Sequence, residues 1–321
     1  MRLDIKMNNH IKRILVAIVG IPLLVIASLI GDYIFLLTII CISTIALYEF
    51  YKLAELKGAS PRMVWGLIAG ICINISFFHD KLQFTIIKIL EKFNVFIPFP
   101  SQTQMLYIIL TIIIIVFSIL ELLKNKGSPV ISLSLNFFGL LYIPLFLSTL
   151  VGIRELFVPF DFPVSCFFSE PENFTNPVIR DKIYQWGGYT VVSIFVIVWT
   201  CDSAAYYIGS VFGKHKLYER ISPNKTWEGA IGGLIFAIAA SVGMKYIFLD
   251  YLSLGSSIII GIIIGVIGQA GDLFESMLKR DFGVKDSSSL IPGHGGMLDR
   301  FDSLIMVSPV IYLYFDFILF S

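Results

Sequence analysis

Charge is scarce in this chain. Only 15% of its 321 residues are Asp, Glu, Lys or Arg, and 24 basic residues against 23 acidic ones leave a net charge of +1. That near-balance says nothing about acidic partners, and no nucleic-acid partner is expected. Cysteine is scarce too. Cys41, Cys72 and Cys201 sit in apolar runs, Cys166 in a polar stretch, and no Cys-x-x-Cys occurs. Neither a disulfide framework nor a cysteine zinc site is indicated. Internal repeats and low-complexity tracts are missing. What the chain has instead is apolar surface: 56% hydrophobic residues and a mean hydropathy of +0.83. A soluble protein of this size cannot hide that much.

Runs of about 18 or more apolar residues read as transmembrane helices. Nine are expected: Ile14–Ile30, Tyr33–Phe50, Met63–Phe78, Met105–Leu123, Val130–Val151, Gly188–Phe212, Gly229–Phe248, Ser256–Asp272 and Ser303–Phe320. The fold class is therefore all-α, a polytopic membrane helix bundle. Residues 80–100 are too charged to span and suggest a helix lying in the interface. The first run is longer than a usual signal-peptide core and another span follows at once, so it reads as a retained helix. With the N-terminus in the cytoplasm, most Lys and Arg fall inside, among them Lys214, Lys216, Arg220, Lys225, Lys279, Arg280, Lys285 and Arg300. That asymmetry follows the positive-inside rule.

Three parts follow from the composition. Residues 1–151 are N-terminal membrane helices with almost no buried charge, read as scaffold. Residues 152–187 are a long, Pro-broken outer loop. Residues 188–321 are C-terminal membrane helices that carry the polar chemistry. In this last part Asp202, Tyr206, Gly209 and Gly213 share one helical face, and a carboxylate within a span usually faces a cavity or a partner. Ser222-Pro-Asn-Lys-Thr-Trp-Glu-Gly229 enters the seventh span, with Ser222 and Pro223 as N-cap and first helical residue. A helix start offers N–H groups to phosphate, and Lys225 adds a point charge. A juxtamembrane turn, with Lys225 snorkelling and Trp227 in the aromatic belt, is the competing reading of that segment. Asp272, Glu275, Ser276 and Lys279 follow i, i+3, i+4, i+7 and form one polar stripe.

The richest stretch is Ser276–Asp302, where two Lys, two Arg, four Asp and one His are interleaved with Gly and Ser. Glycines let the backbone come close to a ligand. Cations, carboxylates and glycine-rich backbone together suit a phosphorylated, metal-bound ligand. A hard Mg²⁺ wants one or two carboxylates plus phosphate oxygens, which Asp272 and Asp299 can supply, with Asp202 and Asp302 as further candidates. The pattern runs Ser276-x-Leu278-Lys279-Arg280-x4-Lys285-Asp286-x-Ser288-x2-Ile291-Pro292-x-His294-Gly295-Gly296-Met297-x-Asp299-Arg300-Phe301-Asp302. It resembles, with no departure in these 27 positions, the signature of the phosphatidate cytidylyltransferases, also called CDP-diacylglycerol synthases. The Asp202–Gly213 and Ser222–Gly229 segments resemble that family's upstream motifs. The likeness is specific over roughly 199–302.

The resemblance implies a nucleotidyltransferase. Its substrates are CTP and phosphatidic acid, its products CDP-diacylglycerol and pyrophosphate, and its cofactor Mg²⁺. It also implies a homodimer in the cell (inner) membrane, with the site facing the cytoplasm. In that setting the residues expected at the reaction are Lys225, Asp272, Lys279, Arg280 and Asp299. Those expected to bind substrate are Ser222, Asn224, Lys225, Thr226, Glu228, Ser276, Lys285, Asp286, His294, Gly295, Gly296 and Arg300. Two other classes compete. A related CTP-dependent membrane lipid kinase would use the same motifs. An ion-coupled transporter would need matched polar halves near the midplane, whereas here the polar residues crowd one edge.

Overall fold

A computed structural model describes residues 9–95, 97–124, 127–158, 162–163, 167, 177–291 and 295–320, with the backbone alone for residues 9–15. Ten helices carry the fold: α1 Asn9–Ile30, α2 Asp32–Leu56, α3 Met63–Ser76, α4 His79–Lys92, α5 Gln102–Leu122, α6 Pro129–Glu155, α7 Pro177–Phe212, α8 Trp227–Ile247, α9 Leu254–Phe282 and α10 Leu298–Leu319. Three of them contain a π-helical turn: Leu141–Leu145 in α6, Ile264–Gly268 in α9 and Phe315–Leu319 at the end of α10. The protein is an all-α polytopic membrane bundle.

Among the described residues seven helices are long and apolar enough to cross a membrane, or eight if one bent pair counts as a single span. The count of nine is thus not reproduced, and the difference lies in two places. The described side of the first helix, Val16–Ile30, is a shorter apolar helix. The expected third span is a 14-residue helix, α3, which breaks and turns by 87° into α4. Fourteen residues rise only about 21 Å, short of a hydrocarbon core of about 30 Å. His79 fixes the break: its ring nitrogens lie 2.8 Å from Asp80 Oδ1 and 2.7 Å from Pro100 O.

The expected outer loop is also shorter than its prolines suggest. Helix α6 runs to Glu155, and α7 begins at Pro177 and continues unbroken for 36 residues. Proline at the first helical position has no N–H to leave unbonded and its φ is already helical, so Pro177 starts a helix rather than breaking one. Cys166 and the Asn173–Thr175 triplet lie outside the described residues.

Helices α7 and α8 approach closely because Gly229 faces Ala205 and Gly209. A Cβ at Gly229 would come within 2.6 Å of Ala205 O. Between the two helices lies a short antiparallel hairpin, β1 Lys216–Tyr218 and β2 Ser222–Thr226. Two buried clusters flank the bundle's interior. One is aromatic, with Phe157, Phe162, Trp186, Tyr251, Phe315 and Phe320 in edge-to-face or tilted contact. The other is polar and lies where α2, α9 and α10 meet the segment between α9 and α10.

Candidate active site

Helix α9 ends in a Schellman turn. Gly283 at φ +79° donates to Arg280 O, and Val284 N donates to Lys279 O. Only a residue without Cβ takes that left-handed conformation cheaply, which is why the helix stops there. Upstream of the stop, the predicted stripe is present. Ser276 Oγ lies 3.5 Å from Asp272 Oδ1, and Lys279 Nζ lies 2.5 Å from Glu275 Oε2. Lys279 also donates to Asp299 Oδ1 at 2.6 Å. Its ammonium is thus clamped between two carboxylates and is mostly buried.

Asp299, in the first turn of α10, is engaged by protein donors on both oxygens. Its Oδ2 accepts from Ser287 N at 2.9 Å, Ser287 Oγ at 2.9 Å and Gly296 N at 2.7 Å, while Oδ1 takes Lys279. Four donors occupy the lone pairs that a cation would need. Asp299 anchors the segment preceding α10. Gly295 stands at φ +85°, and a Cβ there would press on the Asp299 carboxylate. Gly296 is packed so tightly that a Cβ would collide with Ser287 Oγ and Glu49. His294 lies outside the described residues.

Glu49 is the residue that sequence reasoning missed. It sits in α2, buried, 238 residues from Ser287 in the chain. Its Oε1 accepts from Ser288 Oγ at 2.6 Å and Met297 N at 3.0 Å. Its Oε2 accepts from Ser287 Oγ at 3.0 Å and Leu298 N at 2.9 Å. A signal was present: Glu49 is a carboxylate at the end of the apolar run Tyr33–Phe50, the same rarity that drew attention to Asp202. The reading of residues 1–151 as nearly free of buried charge is corrected here, since Glu49 and Glu121 are both buried.

The second motif folds differently from expectation. Ser222–Thr226 is strand β2, and the N-cap of α8 is Thr226, whose Oγ1 accepts from Gly229 N at 3.2 Å. Both residue types cap well. The strand wins at Ser222 because Tyr218 pairs with it and Lys216 pairs with Thr226. Ser222 and Asn224 therefore lie on the hairpin, with Asn224 exposed. Glu228 is engaged by the hairpin: its carboxylate accepts from Lys214 N and His215 N and lies 2.6 Å from His215 Nδ1. These contacts anchor the hairpin to the start of α8. Lys225, from the same strand, reaches α9 and pairs with Asp272 Oδ2 at 2.7 Å.

Asp272 in turn faces two further carboxylates, Asp202 of α7 and Asp302 of α10, close enough for mutual repulsion. Asp302 Oδ1 accepts from Ser303 N at 2.7 Å. Arg300 is exposed nearby and acts on Asp202. Among the described residues no three His, Cys, Asp or Glu form a ready-made metal cage. Arg280, Lys285 and Asp286 are exposed, and Arg280 donates to Val284 O at 3.0 Å. Tyr206, expected on the Asp202 face, is exposed.

These groups border a cavity of about 980 Å³. Asp202, Asp272, Lys279, Asp299, Arg300 and Asp302 line its polar part, and Leu24, Leu37, Ile42, Val198 and Trp199 line its apolar part. A cavity that joins charge to a wall of aliphatic side chains suits an amphiphile, with a phosphate at one end and hydrocarbon at the other. The model of the cytidylyltransferase family matches residues 11–318.

The chain belongs to the cytidylyltransferase family. Its match runs through all ten helices, from α1 to the last turn of α10. Over shorter stretches the chain is similar to named members. It is 48% identical over 126 residues to the phosphatidate cytidylyltransferase of Staphylococcus haemolyticus (strain JCSC1435), covering 39% of this chain and 48% of that protein. It is 44% identical over 145 residues to the phosphatidate cytidylyltransferase of Bacillus subtilis (strain 168), covering 43% of this chain and 50% of that one. The chain spans about half the length of the curated relatives it matches.

Proposed function

We propose that the protein transfers the cytidylyl group of CTP to phosphatidic acid, forming CDP-diacylglycerol for phospholipid biosynthesis and releasing pyrophosphate. One observation carries this reading in a chain of the cytidylyltransferase family. The charged cluster of Asp272, Lys279 and Arg300, with Lys225 paired to Asp272, opens into the same cavity as an aliphatic wall. A phosphate oxygen of the lipid attacks the α-phosphorus of CTP, and the bond from that phosphorus to the bridging oxygen breaks as pyrophosphate leaves. A phosphomonoester dianion is already nucleophilic, so the protein supplies position and charge neutralisation rather than a general base.

Lys225 and Arg300 are the cations placed to meet phosphate oxygens. Lys279, held by Glu275 and Asp299, fixes the frame around them. Ser276 supports Asp272, and Asp286 borders the cavity; Lys285, Gly295 and Gly296 are proposed to serve the nucleotide from the same segment. His294 is proposed to join them. The donor set fits Mg²⁺ shared with a substrate: Asp272 and Asp302 offer carboxylates, with Asp202 behind them, and phosphate oxygens complete what a hard ion needs. When bound there, Mg²⁺ would neutralise phosphate charge and aid departure of pyrophosphate. Asp299 is withdrawn from that set. A cell-membrane location with the site on the cytoplasmic side, and a homodimer, complete the proposal. The basic loops support the orientation, and the resemblance supports both.

The test is purified protein in detergent with phosphatidic acid, α-labelled CTP and Mg²⁺. Label appearing in a CDP-lipid, and lost on chelation, is the expected result. Phosphorylated lipid with free CDP would instead indicate a CTP-dependent kinase.

A further inference from the structure

Glu49 stands outside every motif, yet it makes four hydrogen bonds to the active-site segment. Its two oxygens take four donors, two serine hydroxyls and two backbone N–H groups. Those donors come from both ends of the segment: Ser287 and Ser288 just after α9, Met297 and Leu298 at the start of α10. The carboxylate ties the two ends together. Because α2 is packed in the core on either side, with Phe50 and Leu47 fully buried, the tie also fixes the segment to the N-terminal half.

The bonding makes a second link. Ser287 Oγ lies 3.0 Å from Glu49 Oε2 and 2.9 Å from Asp299 Oδ2, and has a single proton to share between them. Ser287 N and Gly296 N hold Asp299 from the same side. Asp299 in turn sets Lys279. A chain of contacts therefore runs from Glu49 through Ser287 and Asp299 to Lys279, at the polar part of the cavity. The free N–H groups of a helix start need acceptors, and Glu49 supplies them from a different helix. An amide at this position presents an NH₂ where one oxygen now accepts, so one pair of donors meets a donor.

We infer that Glu49 is the positioning residue of the site. Through Ser287, Asp299 and the first N–H groups of α10, it sets the geometry in which the nucleotide's phosphates are received. The inference rests on the proposed cytidylyl transfer for the ligand, but not for the contacts.

The experiment compares full-length wild type, Glu49→Gln, Ser288→Ala and their combination in detergent. Hydrogen exchange is read by mass spectrometry without substrate. In Glu49→Gln, exchange at Ser287–Ser289 and Met297–Leu298 should rise at least tenfold, while α7 and α8 stay within twofold. In the transfer assay, the KM for CTP should rise tenfold or more with kcat changed less than threefold. Ser288→Ala should cost only a few-fold, and the double variant should be no worse than Glu49→Gln alone, because both substitutions cut the same strut. Unchanged exchange at those residues, or fully additive losses, would overturn the inference. So would a uniform rise in exchange across all helices, which marks a merely structural role. If Glu49→Gln does not fold, the Ser287→Ala/Ser288→Ala variant leaves α2 intact and must show the same local rise. Exchange needs no turnover, so a protein that makes no CDP-lipid still tests Glu49. Wild-type transfer alongside unaltered exchange would sink Glu49 alone.

Discussion

Two charged clusters sit at opposite ends of the same helices, and they are built on different principles. Asp32 and Glu49 are separated by 17 positions of α2, about 25 Å along its axis. Tyr184 and Asp202 are separated similarly along α7. At the far end Arg154, the largest fully buried side chain, donates from Nε to Ser28 O and lies 4.0 Å over the Tyr184 ring. Tyr184 donates to Ile30 O and lies 2.9 Å from Asp32 Oδ2, and Lys81 pairs with Asp32. Glu155 acts on Arg154 and Lys81. Two cations meet two carboxylates, with an aromatic ring between them. At the near end Glu49, Asp202, Asp272, Glu275, Asp299 and Asp302 stand against Lys225, Lys279 and Arg300. Among these residues the charges of the far cluster balance. The near one, among the described residues, sets more carboxylates than cations around its cavity, an arrangement suited to a ligand that brings positive charge.

That contrast can be tested by removing one member from each end. The largest effect is expected from Asp272→Asn. Several kcal/mol of charge stabilisation corresponds to about a thousandfold in rate, so CDP-lipid formation should fall by about that factor. Its thermal midpoint in detergent should stay near wild type. In the same assay Asp299→Asn should lose turnover without changing the Mg²⁺ concentration needed for half-maximal rate. A shifted Mg²⁺ requirement there would restore Asp299 as a ligand.

Arg154→Met should do the reverse. Breaking a buried ionic contact leaves its partner uncompensated and costs about 3 kcal/mol of stability. A lowered unfolding midpoint, with kcat per folded molecule preserved, would mark the far cluster as a clasp. Equal loss of activity would erase the distinction between the two ends.

Lys225→Gln comes next. A charge-assisted bond of about 1.5–3 kcal/mol predicts about a 10- to 150-fold loss in kcat/KM. Lys216, which donates to Pro223 O on the same hairpin, should tolerate Gln within a few-fold. Equal small effects at both would return β2 to a plain turn. The smallest effect belongs to Thr226→Ala. Loss of a helix N-cap costs about 1 kcal/mol, seen as faster exchange at Gly229 with little change in rate.

The helices were legible because lipid demands long apolar runs, and nearly every run became a helix. The Asp272–Lys279 stripe was legible because its spacing is that of one helix face. What the sequence could not convey were decisions made at a distance. Ser222 looks like an N-cap until Tyr218 pairs with it. Asp299 looks like a free ligand until Ser287 and Gly296 fill its oxygens. Pro177 and its neighbours look like loop until the helix is seen to begin on the proline. Glu49 was overlooked because its partners lie more than two hundred residues away, although its lone charge in an apolar run was in plain view.

The π-helical turn Ile264–Gly268 in α9 has a consequence of phase. Before it, Gly261 meets Ile238 and Ala237 of α8; after it, Gly271 meets Asp302 and Met306 of α10. A π turn carries one extra residue, which rotates everything downstream by about 100°. Asp272 owes its bearing on Lys225 and Asp302 to that slip. Deleting one residue from Ile264–Gly268 would leave the hydropathy profile untouched and the helix more regular. It would also turn the acidic stripe away from its cavity, an inactivation that no inspection of charged residues would foresee.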